Sequence, residues 1–171
     1  MITYNPAFDL YHSIFRMAHI LLKMDVQKPM EIDRLRIWDF YMLYPVQLNH
    51  VSLKQDENEI REARKLLKLK ETIFDYKGDI RKLFEWIKPF QLSALGCLVS
   101  CGILDKDEFE AGSVLVVNPD KLNAFVENAG DVSDHERNIL KFLNFLFSDM
   151  PLTGVYGMKY RTKLLESKYD A

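Results

Sequence analysis

At 171 residues the chain is long enough to bury a continuous core without a disulfide or metal staple, and its 48% hydrophobic and 12% aromatic content excludes a disordered tail. A formal net charge of -2 excludes a general attraction to nucleic acid or anionic lipid, so any such binding needs a local patch. No apolar run approaches the ~18 residues of a membrane span, and Met1-Ile2-Thr3-Tyr4-Asn5-Pro6 has neither the basic nor the apolar region of a signal peptide, so no membrane contact and a cytoplasmic location are expected.

Phe8, Tyr11, Phe15, Ala18 and Leu22 recur at helical spacing, with Leu10, Ile14, Met17 and Leu21 on an adjoining face. The spacing predicts a first helix over residues 8–24, apolar round most of its circumference and therefore buried in a core or against a partner. Pro29 breaks the chain. A second helix is expected from Glu31 to Tyr44, stopped by Pro45, with Ile32, Leu35, Trp38 and Met42 inward and Asp33, Arg34 and Arg36 in water.

From Asp56 to Glu71 the pattern is a charged helix with a narrow apolar stripe, Ile60, Ala63, Leu66 and Leu67, lying on the surface or reaching a neighbour. Gly78 turns the chain, and Asp79 is placed to cap a short helix bearing Ile80, Leu83, Phe84 and Ile87, which Pro89 is expected to end. Gln91 to Cys101 forms the next helix, closed by Gly102. Cys97 and Cys101, spaced C-x3-C, lack the spacing and further ligands of a redox or zinc motif and read as reduced core thiols.

Ile103-Leu104, a polar loop over 105–111, Gly112 and the β-branched run Ser113 to Val117 predict a short hairpin. Helix, glycine, strand, polar loop and returning strand spell the third helix and wing of a winged helix-turn-helix. Asn118-Pro119 opens a helix with Leu122, Phe125 and Val126 that Gly130 stops. Ser133-Asp134-His135-Glu136 is a capping box ahead of Ile139, Leu140, Leu143, Leu146 and Phe147. A glycine-punctuated tail follows, rich in basic and apolar residues. The expected fold is mainly α: one domain over 1–171, with a winged-helix-like core at about 31–117, a short β-hairpin wing, and helical extensions at 8–24 and 119–169 packed on it.

A winged helix that reads DNA aims Arg, Lys, Asn or Gln from its third helix at base edges and supplies cations from its wing. Here residues 91–101 hold no basic side chain, and the wing tip Asp105-Lys106-Asp107-Glu108-Phe109-Glu110 sets four acids against one lysine. That chemistry suits a protein partner better than a phosphate backbone. The alternative, a winged-helix DNA-binding regulator, rests on Arg61, Arg64, Lys65 and Lys68 as backbone contacts, with further cations at Lys159, Arg161, Lys163 and Lys168.

No catalytic constellation is legible. His12 and His19 stand two turns apart without further ligands; His50 and His135 fall in a loop and a helix start; and Glu31, Asp33 and Asp39 have no histidine or second acid placed beside them by local spacing. Nucleotide-binding glycine loops and nucleophile elbows are missing from the sequence, and Gly154-Val155-Tyr156-Gly157 reads as a flexible turn. The expectation is a protein without catalytic residues, metal or cofactor.

Three stretches carry a family resemblance: residues 4–12, Tyr4 to His12; residues 33–45, Asp33 to Pro45; and residues 157–166, Gly157 to Glu166. Together they resemble the middle component of bacterial ABC-three-component systems. The resemblance implies a small non-catalytic adaptor in anti-phage or anti-plasmid defence, set between an SMC/Rad50-like ATPase and an effector subunit, with any DNA contact arising within the complex. A homodimer stays open. The expected protein-binding residues are Phe8, Tyr11 and Phe15 on the first helix and Met158, Tyr160, Arg161 and Leu164 in a tail reaching Tyr169.

Overall fold

The computed structural model describes residues 5–24 and 27–166; Lys168 and Tyr169 of the expected tail lie outside the described residues. A 3-10 turn at Pro6–Phe8 leads into α1 (Leu10–Met24), followed by β1 (Met30–Glu31), α2 (Ile32–Leu43), a second 3-10 turn (Pro45–His50), α3 (Asn58–Leu66) and α4 (Ile80–Ser100). Then come α5 (Lys106–Glu110), β2 (Ser113–Val114), α6 (Pro119–Ala129), α7 (Asp134–Phe147) and α8 (Met158–Thr162). The protein is mainly helical with a small two-strand antiparallel sheet, in which Met30 pairs with Val114 and Glu31 with Ser113.

Helix α2 sits at the centre, buried without interruption from Leu35 to Met42. Its expected wet side is therefore corrected at Arg36, which is 1% exposed; Asp39 on the same helix is fully buried too. Helix α1 packs on α4, α2, α6 and α7, and α7 also meets α2 and α3. His19 of α1 joins its Nε2 to the Gly130 carbonyl at 3.0 Å, fixing the first helix to the end of α6.

Several local expectations differ from what forms. Pro89 does not end a helix; α4 runs through it for 21 residues. Leu83, Phe84 and Ile87 before the proline and Ala94, Leu95 and Leu98 after it lie on one buried helical stripe. Burying each large apolar side chain contributes about 1.5–3 kcal/mol. A stripe of this length outweighs the ~3 kcal/mol of one interior proline. The Arg36 guanidinium also donates to the Phe84 carbonyl, in the turn preceding Pro89, at 3.3 Å.

The charged helix, expected to reach Glu71, ends at Leu66, and Lys68 takes the left-handed conformation at φ 51°. Leu67 and Leu69 both pack on the core. Residues two apart point to different sides of a helix, so the helix breaks at Lys68 where both leucines reach the core.

The polar loop expected at the wing tip forms α5 instead. Asp105 caps it, its carboxylate accepting from Glu108 N–H at 2.9 Å, and Asp107 and Glu108 complement the positive end of the helix. Strand pairing also differs in emphasis: Leu104 and Val116 form a single bridge, while β2 takes β1 as its ladder partner. Cys97 is half-buried and Cys101 exposed at the end of α4, so the reading of both as core thiols is corrected for Cys101, which sits where the helix leaves the core.

Candidate functional site

At the start of the chain, the 3-10 turn swings Phe8 against Phe90 of α4, edge to face with centroids 5.7 Å apart, leaving Phe8 partly exposed. Trp86, one turn before Phe90 on α4, is also exposed. Residues four apart share a helix face, so Phe8, Phe90 and Trp86 form one aromatic patch. Tyr11 stands out at 81% exposed. Phe15 is half-buried, its ring tilted on His19 at 4.5 Å, and serves packing more than presentation.

The tail is sewn into the body. Met158, Arg161 and Leu164 are buried, and of the tail residues expected at an interface only Tyr160 presents a surface. Arg161 grips Glu57 through two bonds of 2.7 and 2.8 Å and donates from Nε to the Tyr156 carbonyl at 2.9 Å. Its guanidinium holds the Glu57 carboxyl below the usual carboxylate range, against the upward push of partial burial. Arg34 donates to the Met150 carbonyl at 2.8 Å and approaches the Met158 sulfur at 3.2 Å, securing the same corner. Above it Tyr160 and Tyr156 meet edge to face at 6.3 Å, and Lys54 lies 4.7 Å over the Tyr156 ring.

The cations considered for a phosphate backbone are mostly engaged with their own chain. Arg61 bonds the Asn58 side chain at 2.7 Å and the Lys54 carbonyl at 3.0 Å. Arg64 turns inward to the Leu48 and Val51 carbonyls at 3.1 and 3.0 Å. Lys65 pairs with Glu62 at 2.7 Å, and Lys68 follows the helix end. Of the segment 91–101 that a DNA reader would present, Gln91, Ala94, Leu95 and Leu98 are buried while Ser93, Ser100 and Cys101 are exposed.

The carboxylates once grouped by sequence proximity have separate partners. Asp39 binds Arg16 at 2.6 Å and accepts from Gln91 at 2.9 Å; Asp33 binds Arg36 at 2.8 Å; Glu31 binds Arg34 at 3.2 Å. Arg36 continues to Gln91 at 3.0 Å and Glu85 at 3.2 Å. Each charge is satisfied by a fixed partner, which is the arrangement of a structural network. His50 approaches Glu71 at 3.6 Å, and His135 is exposed in the first turn of α7. Among the described residues no group of three or more His, Cys, Asp or Glu is placed to hold a metal ion, and no helix is long and apolar enough to cross a membrane.

A surface absent from the expected interface residues lies between α3 and α7, where the narrow stripe of the charged helix meets a second wall. Ala63, Leu66 and Leu67 face Asn138, Lys141, Phe142 and Phe145 across an open groove of about 330 Å³. Its legible signal was the narrow apolar stripe of a charged helix, from which Leu66 projects 79% exposed. Further along the chain, Ile73 and Phe74 are 88% and 90% exposed in a turn.

Comparison with known families decides the affiliation. The family model for ABC-three component (ABC-3C) system Middle Component 5 matches residues 2–170. The chain belongs to that family. As a Middle Component 5 protein it is one part of a multi-subunit system, so it has protein partners. No curated protein and no solved structure matches the chain.

Proposed function

We propose that this Middle Component 5 chain is a non-catalytic adaptor that links an SMC/Rad50-like ABC ATPase to an effector in a bacterial anti-phage or anti-plasmid defence system. The observation that carries the reading is the distribution of exposed apolar side chains. Phe8 and Trp86 flank Phe90, Tyr156 and Tyr160 form a second pair, and Leu66 and Phe145 line a groove; Tyr11, Ile73 and Phe74 are exposed as well. Aromatic anchors of this kind concentrate binding energy at protein interfaces, and a subunit that bridges two others needs more than one such surface. The buried charges support the reading too, since they lock the scaffold on which those surfaces stand. We further read α4, α5 and β2 as a winged-helix-like unit turned to protein contact.

Tail deletion is a poor test, because Met158, Arg161 and Leu164 are part of the core. The informative experiment mixes the purified chain with each of the other two components and follows complex formation by size-exclusion chromatography. Complexes with both are expected, and Tyr11→Asp or Tyr160→Asp should weaken one each on the order of tenfold, as loss of an aromatic anchor does. A wild-type chain that binds neither component defeats the adaptor reading.

A further inference from the structure

The groove between α3 and α7 is an apolar surface whose one charged lining residue is Lys141. Segments 63–70 and 138–145, which build its two walls, carry Arg64, Lys65, Lys68, Lys70 and Lys141 and not one carboxylate, in a chain whose net charge is -2. Arg64 is directed at backbone carbonyls and Lys65 at Glu62. The side chains of Lys68, Lys70 and Lys141 form no ion pair or hydrogen bond among the described residues, and Lys141 lines the groove itself. Leu66 and Phe145 stand 79% and 50% exposed on opposite walls.

We propose that this groove receives an amphipathic helix of a protein partner, with apolar side chains a turn apart seated over Leu66 and Phe145 and acidic residues flanking them towards Lys68 and Lys141. The proposal rests on the adaptor reading and names the chemistry of one of its contacts. A helix laid in a groove buries side chains at i, i+3, i+4 and i+7, which suits a trough between two helices. A small molecule is a poorer occupant: the walls are shallow, and Asn138 and Lys141 are the only lining residues with polar side chains. A second copy is disfavoured by charge, because a two-fold contact sets the same patch against itself and brings these lysines together.

The test uses the full chain with the photo-crosslinking residue p-benzoylphenylalanine in place of Leu66, irradiated with each of the other two components, and the linked peptides mapped by mass spectrometry. A link to a helical, Asp/Glu-rich segment of one component is expected. In titration calorimetry Leu66→Asp and Phe145→Asp should weaken that component's binding on the order of tenfold or more. Lys68→Glu with Lys141→Glu should weaken it and flatten its salt dependence. All four positions are exposed, so unchanged circular dichroism and urea midpoints are expected and separate lost binding from lost folding. Links to a second copy, or to a segment without acidic residues, overturn the proposal. So does unchanged affinity in both Asp variants, which leaves the adaptor reading standing. Vesicles containing phosphatidylserine provide the last arm: retention of the wild-type chain that Leu66→Asp abolishes reassigns the groove to a lipid surface.

Discussion

Asp39→Ala should be among the most destabilising single substitutions in the molecule. The Asp39 carboxylate is fully buried, receives Arg16 Nε at 2.6 Å and Nη2 at 3.4 Å, and accepts from Gln91 Nε2 at 2.9 Å. Truncation leaves Arg16, whose side chain is 5% exposed, with only the Ser13 hydroxyl and the Pro6 carbonyl, both at 3.1 Å and both neutral. A buried cation stripped of its counter-charge costs roughly 3–5 kcal/mol. With a urea slope of about 2 kcal/mol/M the midpoint should fall by about 1.5–2.5 M, read by fluorescence of the buried Trp38. Asp39→Asn, which keeps the shape and one acceptor but not the charge, is expected to fall short of the alanine variant by about 1 kcal/mol. The decisive comparison is Arg16→Met with Asp39→Leu: removing both charges relieves desolvation, so the pair should cost far less than the sum of the single variants. If Asp39→Ala loses less than about 1 kcal/mol, or if the two sites simply add, the network is not the electrostatic lock inferred from its geometry.

Three further outcomes test other parts of the scaffold. Arg161 holds the Glu57 carboxyl below its ordinary value, so its stabilisation is complete above the unfolded carboxyl pKa of about 4.3 and drains away as pH falls through the lower folded value; Glu57→Gln should therefore be less stable than wild type at pH 7, with the gap in urea midpoint closing towards pH 3. Gly157→Ala would drive its new methyl into the Thr153 carbonyl and to within 2.9 Å of the Pro151 carbonyl, and the shift it forces should cost about 1–3 kcal/mol in thermal or urea unfolding. Ser133→Ala removes the oxygen that accepts from Glu136 N–H at 3.2 Å and should cost about 1 kcal/mol, with helicity otherwise intact by circular dichroism.

What the sequence made legible was whatever depends on neighbours along the chain. Asp79, Asn118 and Ser133 cap α4, α6 and α7 through their side chains, as their spacing required, and Gly102 and Gly130 take the positive φ of helix ends at +72° and +94°. Of the residues expected at an interface, Phe8, Tyr11 and Tyr160 have exposed side chains, and exposure alone does not make them contacts. The tail misled because a stripe of basic and apolar residues looks the same whether its cations face water or a carboxylate. Glu57, which claims Arg161, is 104 residues away. Arg36 was assigned to solvent for the same reason: Gln91, which takes its Nε, lies 55 residues along the chain.

The two arginines misjudged in this way, Arg36 and Arg161, share one physical character with Arg16, and it bears on function. Arg16, Arg36 and Arg161 are each almost wholly buried and each bridges elements distant in sequence, α1 to α2, α2 to α4, and α8 to the entry of α3. Replacing such pairs by apolar residues is often neutral or stabilising, so net stability alone does not account for them. Their geometry restricts how those elements can sit, because a guanidinium with several fixed acceptors tolerates less sliding than a leucine in the same space. A subunit whose work is to hold partners in a set relation requires that kind of definition, since a rotation of α3 against α7 would reshape the groove between them. On this argument Arg161→Met paired with Glu57→Leu should keep most of its urea stability yet weaken the Leu66-dependent complex, and equal binding by that double variant would show that the buried ion pair does not set the position of the docking surface.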